Sequence, residues 1–250
     1  MFNVFHHYVR GRGHELDGTP CQDRTQYMSC DGVQAICLAD GAGSASQAEL
    51  GAQAVVEEGC ALLVERFREL LVSTDADRTR TELVDRLLSK LGQLASQHGL
   101  AHEDFASTFL GVAISGDHFL GAHIGDGVIA YFKDSEMRIV SAPDNSEFVN
   151  QTTFVTSQNA AQSMRLFRGS LDGVGGFILM SDGAGESLFD ARSRQLAPAC
   201  SKIIATVGAA PPRRDGRFKF RKQLQKLIDL KIRSATKDDC SIAVLGRTVP

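Results

Sequence analysis

The sequence predicts an α+β fold, with antiparallel sheets covered by helices. Three observations carry that prediction. Short apolar runs bounded by turn residues recur along the 250 residues, as buried strands do. They come in groups: strands, two helices, strands, two helices, one strand. That order lacks the strand–helix alternation of a parallel doubly wound sheet, and clustered strands joined by tight turns favour antiparallel pairing.

Val4–Arg10 reads as the first strand, and Gly11–Pro20 as a glycine-rich loop carrying Arg12 and His14. Thr25–Cys30 and Val33–Ala39 flank Asp31-Gly32 and form a hairpin, because Asp-Gly is a strong two-residue turn signal. Ser44–Val72 has helical periodicity, with Ser44 or Ser46 as its cap. The small residues of its first turns, Ala45, Ala48, Gly51, Ala52 and Ala54, permit close packing on a sheet. A second helix spans about Thr79–His98, with Leu83, Leu87, Leu91 and Leu94 on one face. Phe105–Ser115, His118–Ile124, Val128–Lys133 and Met137–Val140 read as successive antiparallel strands. The polar stretch Ser141–Ala161 is long for a loop inside a domain and reads as a mobile flap, with Phe148 and Phe154 able to seat it. Met164–Gly169 and Gly176–Met180 are strands, helices follow at about Arg192–Val207 and Phe218–Arg233, and Cys240–Leu245 closes the fold. No repeat or linker divides the chain, so residues 1–250 are read as one domain.

Composition narrows the function. Hydrophobic residues make up 43%, enough for a core and too many for disorder. No apolar run reaches membrane-span length, and Met1–His7 lacks the features of a signal peptide. Six scattered cysteines, without a Cys-x-x-Cys pair or zinc spacing, suit a reducing compartment. A cytoplasmic protein with no membrane partner is expected. Residues 213–237 hold ten Lys and Arg against two Asp, a net of +8, which leaves −11 on the rest of a chain of net −3. A chain acidic overall is a poor nucleic-acid binder. The basic stretch reads first as a solvated helix face, and second as a dock for an acidic or phosphorylated partner.

Seven Asp-Gly pairs occur, and most are plain turns. Three end an apolar run: Ile36–Ala39 before Asp40, Phe119–Ile124 before Asp126, and Phe177–Met180 before Asp182. Adding Asp23, ahead of the first hairpin strand, and Asp238, ahead of the last strand, gives five carboxylates at strand edges. All-oxygen donors without a Cys/His cluster point to Mg²⁺ or Mn²⁺, and a pair of such ions clamps phosphoryl oxygens in hydrolysis.

Gln22-Asp23, Ala39-Asp40-Gly41-Ala42-Gly43, Gly125-Asp126-Gly127, Ser181-Asp182-Gly183 and Asp238-Asp239 resemble, in order and strand context, the motifs of the metal-dependent serine/threonine protein phosphatases, type 2C. The Gly11–His14 loop ahead of Pro20-Cys21-Gln22-Asp23 is similar to that of the compact bacterial branch. The resemblance implies an antiparallel β-sandwich flanked by helices on both sides, a four-layer αββα fold. It implies a binuclear Mg²⁺/Mn²⁺ centre: Asp40 bridging both ions, Gly41 offering its carbonyl, Asp23, Asp182 and Asp238 on the second ion, and Asp126 on a third, weaker one. Asp40, Asp182 and Asp238 are then the catalytic set, and water activated between the ions attacks phosphorus. Phosphorylated proteins are the implied substrates, with a cognate serine/threonine kinase as counterpart.

Two departures bear on substrate recognition. The phosphate-gripping arginine found in many relatives five residues before the first aspartate is Gly18 here, so Arg12 or His14 is the substitute, His14 having a loop-fixing hydrogen bond as its other role. The arginine of the usual glycine-aspartate-serine-arginine motif is absent from Gly125-Asp126-Gly127-Val128. Either Asp238 or Asp239 can be the ligand; the family order favours Asp238. Two other functions compete with the phosphatase: a catalytically weak phosphoprotein-binding module and a small-molecule phosphohydrolase.

Overall fold

A computed structural model describes residues 1–143, 152–211 and 214–248, and of 214, 215 and 217 only the backbone. Its architecture follows from period-two alternation along the central strands. In β3 (Val33–Ala39), Ala35, Cys37 and Ala39 face helices while Ile36 and Leu38 face the other sheet, and all five are fully buried. In β9 (Val174–Met180), Ile178 and Met180 face helices while Phe177 and Leu179 face β3's sheet. A strand buried on both sides needs cover on both sides, so the two sheets stack and each outer face takes helices.

One sheet runs β2-β3-β4-β5-β8 (Arg24–Cys30, Val33–Ala39, Phe109–Ser115, His118–Ile124, Arg165–Ser170). The other runs β1-β12-β9-β6-β7 (Phe2–Val9, Cys240–Arg247, Val174–Met180, Val128–Lys133, Glu136–Ser141). A small hairpin, β10 and β11 (Phe189–Asp190, Gln195–Leu196), lies apart. Every strand pairing is antiparallel. Helices α2 (Ala48–Glu65) and α4 (Ala76–His98) cover the first sheet through Val55, Leu62, Leu63, Leu87 and Leu91. Helices α7 (Pro198–Gly208) and α8 (Arg214–Leu227) cover the second through Ile203, Ile204, Val207 and Leu224. The expected αββα sandwich is therefore present. No helix among the described residues is long and apolar enough to cross a membrane.

Several boundaries differ from the reading above. Gly11–Pro20 is not all loop: Arg12–Asp17 forms a short helix, α1, ended by Gly18 at φ +77°. The first long helix starts at Ala48, capped by neither serine, and breaks at Arg66 before α3 (Phe67–Val72). The strand expected from Phe105 starts at Phe109, after a 3₁₀ turn over His102–Phe105. Asp182–Leu188 forms an unexpected helix, α6, and the helix expected from Arg192 starts at Pro198, because β10 and β11 take up the intervening residues. The strands expected to be successive neighbours split: β5 stays with β4 and β6 crosses to the second sheet. That crossover is Gly125-Asp126-Gly127.

Of the expected flap, 144–151 lies outside the described residues, Phe148 included. The part from 152 on is held to the body. Val155 is fully buried and donates its backbone N–H to the Ser107 carbonyl at 2.8 Å.

Candidate active site

Antiparallel register brings the strand-edge aspartates together. Because β2 and β3 run in opposite directions, the start of one lies beside the end of the other: Arg24 pairs with Ala39, which sets Asp23 beside Asp40. In the second sheet Met180 at the end of β9 pairs with Val128 at the start of β6 and with Ile242 near the start of β12. The residues just outside those positions are Asp182, Asp126 and Asp238. Five residues spread over more than 200 positions of sequence thus share one edge of the sandwich.

Asp40, Asp126, Asp182 and Asp238 line one cleft of about 200 Å³, together with His14, Gly41 and Thr152. No Lys or Arg is among its described lining residues. Asp23 lies beneath, fully buried, and neither of its carboxylate oxygens has a hydrogen-bond partner. A larger cavity of about 420 Å³ under α3 and α4 is mostly apolar and holds no carboxylate; donor chemistry, not size, selects the cleft.

A model of the protein phosphatase 2C family matches residues 10–228. The chain belongs to that family. "Serine/threonine-protein phosphatase 3" of Escherichia coli (strain K12) is 30% identical over 162 residues, 63% of this chain and 64% of that protein. The alignment thus spans under two thirds of that relative's length. Serine/threonine phosphatase Stp1 from Staphylococcus aureus has a similar fold: TM-score 0.65, 15% identity, 100% of this chain and 96% of that one. A Streptococcal neighbour, the S. agalactiae serine/threonine phosphatase, has TM-score 0.60 at 15% identity, covering 99% and 100%.

In this phosphatase 2C chain the local structure at each aspartate has a physical cause. Asp40 donates its backbone N–H to Thr108 Oγ1 at 2.9 Å and accepts from Thr108 N–H at 2.8 Å, so the end of β3 is clamped from both sides. At Gly41 a Cβ would sit 2.7 Å from the Ala48 carbonyl oxygen, so only glycine lets α2 begin this close. Gly125, at φ +116°, turns the chain between the sheets with Thr108 packed against it. Asp126 accepts from Thr152 Oγ1 at 2.5 Å. Asp182 opens α6 and accepts from the Gly183 N–H at 2.6 Å.

Burial and mutual repulsion push Asp23, Asp40 and Asp182 towards the neutral form. Burial first, then the charges of Asp239 and Asp182, raise Asp23 from 3.8 to about 8; the nearby Ser181 and Ser241 hydroxyls oppose this only in part, being outside hydrogen-bonding geometry. Burial and Asp126 raise Asp182 to about 6. Asp40 is pushed well up by burial and by Asp23, Asp182 and Asp238. A buried, unpartnered Asp23 beside carboxylates that repel it fits a hard divalent cation. Among the described residues no group of three or more His, Cys, Asp or Glu is already arranged to hold a metal ion.

Geometry separates Asp238 from Asp239. Asp238 is exposed on the cleft wall. Asp239 is 2% exposed and fully engaged: it accepts from Gly11 N–H and Gln22 N–H, both at 2.6 Å, and lies 3.0 Å from His14 Nδ1. It ties α1 and the Asp23 segment to the start of β12. His14 consequently reaches the cleft. Arg12 does not line it: its Nε donates to the Thr236 carbonyl at 3.1 Å, and it lies on an adjoining groove that shares His14 and Asp238 with the cleft.

Sequence reasoning missed Thr108, Thr152 and Arg165. Arg165, on β8, donates to the Gly125 carbonyl at 2.7 Å and to the Ala142 carbonyl, and so holds the turn before Asp126. None sits in a motif; only register and the crossover bring them to the site.

Proposed function

We propose that this chain is a protein serine/threonine phosphatase, hydrolysing phosphoserine and phosphothreonine at a binuclear Mg²⁺ or Mn²⁺ centre. The observation that carries the reading is the cleft itself: four aspartates from separate strand edges above a buried, unpartnered Asp23, in a chain of the protein phosphatase 2C family. Asp40, Asp182, Asp238 and Asp23, with the Gly41 carbonyl, are the proposed ligands of the two ions, and Asp126 that of a third. When bound, the ions supply positive charge against the phosphoryl oxygens and acidify water.

The chain's own residues orient the rest. Thr108 fixes the backbone that presents Asp40. Asp239 fixes the turn carrying His14, which faces the cleft as the nearer phosphate contact, while Arg12 engages substrate from the adjoining groove. Phosphorylated proteins as substrates, a cognate kinase and a cytoplasmic setting belong to the same proposal. Intact cleft carboxylates favour it over a binding module, which has no need of them.

Hydrolysis of p-nitrophenyl phosphate dependent on Mn²⁺ tests it. No turnover with either ion leaves the binding module as the reading. Faster hydrolysis of phosphorylated metabolites than of phosphopeptides leaves the small-molecule phosphohydrolase.

A further inference from the structure

The strongest charge in this chain lies outside the cleft, on α8 and the π turn that continues it (Ile228–Ile232). Leu224, Ile228 and Ile232 point inward and are nearly fully buried. Among the described side chains, Arg221 donates to the His6 carbonyl at 3.1 Å, and Arg233, just past the turn, donates to the Arg10 carbonyl at 2.6 Å and pairs with Glu15. Asp229 is paired with His7 Nε2 at 2.9 Å.

The lysines differ. Lys219, Lys222, Lys226 and Lys231 are all exposed, and none has a carboxylate partner among the described residues. Between them stand Phe218, Leu227 and Leu230, at 62%, 44% and 59% exposure. Lys222 Nζ lies 4.7 Å from the centre of the Phe218 ring, a cation–π contact on the exposed face. Unpaired cations interleaved with exposed apolar side chains complement an acidic polypeptide that carries some apolar residues. A bilayer fits less well. At about 100° per residue, Lys219, Lys222 and Lys226 occupy the crest opposite Leu224 and Ile228, with Phe218 and Leu227 on the flanks and Leu230 alone among the apolar residues near the crest, whereas a helix lying in a membrane turns an apolar stripe outward.

The position of the face points to its use. The segment runs from Ile232 through a 3₁₀ turn, Arg233–Ala235, to Lys237 in the adjoining groove and then Asp238 on the cleft wall. Between them lies the groove that holds Arg12 and Lys237, both exposed and without a carboxylate partner among the described residues. Asp17 and Glu186 also line that groove, so the uncompensated charge is concentrated on the helix. We propose that the outer face of α8 docks an acidic stretch of the phosphoprotein substrate while its phosphorylated residue occupies the cleft. This rests on the phosphatase reading and adds a substrate class to it: phosphoproteins with an acidic tract apart from the phosphorylated residue.

The test compares two phosphopeptides that differ only in a Glu- and Leu-containing tract, with p-nitrophenyl phosphate as a third substrate, for the wild type and for the triple variant Lys219→Glu/Lys222→Glu/Lys226→Glu. The wild type is expected to show a KM about tenfold lower for the tract peptide, an advantage lost by about 300 mM salt through screening. The triple variant removes that advantage and leaves kcat, the tract-free peptide and p-nitrophenyl phosphate unchanged. Equal KM values for both peptides in the wild type, or a variant that slows all three substrates alike, overturn the docking site. So does a loss confined to binding of phosphatidylserine vesicles, or to salt-sensitive self-association, with peptide KM values unmoved. If the wild type hydrolyses none of the three, the phosphatase reading falls, and fluorescence anisotropy of the tract peptide decides the docking face: binding that the triple variant loses supports it, and no binding overturns it.

Discussion

The cleft and the outer face of α8 both gather like charges without partners, yet they are held in opposite ways. At the cleft, removal from water and mutual repulsion drive Asp23, Asp40 and Asp182 towards the neutral form. On α8 the lysines stand in water, where screening makes their repulsion cheap. Burial, not the number of charges, decides which cluster strains the fold. A strained cluster is relieved by an ion; an exposed one waits for a partner.

The largest effect expected on that contrast comes from Asp40→Asn. It should abolish activity, by roughly three orders of magnitude or more if it removes the shared ligand, while the metal-free protein stays folded because the change is isosteric and removes a carboxyl that is costly to ionise there. Calorimetric Mn²⁺ titration with unchanged affinity would sink the ligand assignment. Next, Asp239→Ala should cost about 2–4 kcal/mol of stability, because it leaves the buried Gly11 and Gln22 N–H groups unmet. Asp238→Ala should instead lose activity with little change in melting temperature. The opposite pattern in denaturation and kinetics would exchange their roles.

A pH series sharpens the comparison. Asp23, raised to about 8, and Asp182, raised to about 6, stay protonated in the folded metal-free chain after the unfolded chain has lost those protons. Stability from this source is complete below about pH 4 and declines as pH rises through 6 and then 8. Thermal melts in EDTA should therefore show a lower melting temperature at pH 8 than at pH 5, and Mn²⁺ should restore it. A flat profile would contradict the buried-charge account.

Smaller still, Arg12→Ala should raise KM on a phosphopeptide with a lesser loss of kcat, at about 1.5–3 kcal/mol if one charge-assisted contact is lost. Unchanged kinetics there, with His14→Ala impaired, would give the whole phosphate contact to His14. At the bottom of the scale, Lys219→Ala should move the melting temperature by no more than about 2 °C. A larger shift would mean that the α8 face is part of the packed body.

Strands were the most legible part of the chain. Val33–Ala39, His118–Ile124 and Val128–Lys133 were bounded correctly from sequence, because apolar runs framed by Asp-Gly or Ser-Gly-Asp turns carry their ends with them. Helix starts were poorly legible. The first long helix begins at Ala48 without a side-chain cap, since backbone packing at Gly41 and the 3₁₀ turn near Phe105 decides where it starts. Within the site, the aspartates were legible because each ends or precedes an apolar run. Thr108, Thr152 and Arg165 were not, since nothing local marks a residue whose partner lies in a distant turn.

By itself, then, the sequence determined which residues carry charge, where strands stop, and that five carboxylates stand at strand edges. Local pattern suffices for that, because hydrophobic periodicity and turn chemistry act over a few residues. Only the tertiary structure decided that these edges coincide, that Asp238 faces the cleft while Asp239 is spent on backbone N–H groups, and that Arg12 lies one groove away. Those outcomes depend on antiparallel register, on the crossover at Asp126, and on the turn of α1 that carries Arg12 and His14. They rest on contacts between segments apart in sequence, from Arg165 to the Gly125 carbonyl, 40 positions away, to Gly11 N–H on Asp239, 228 positions away, and no local pattern carries information over such distances.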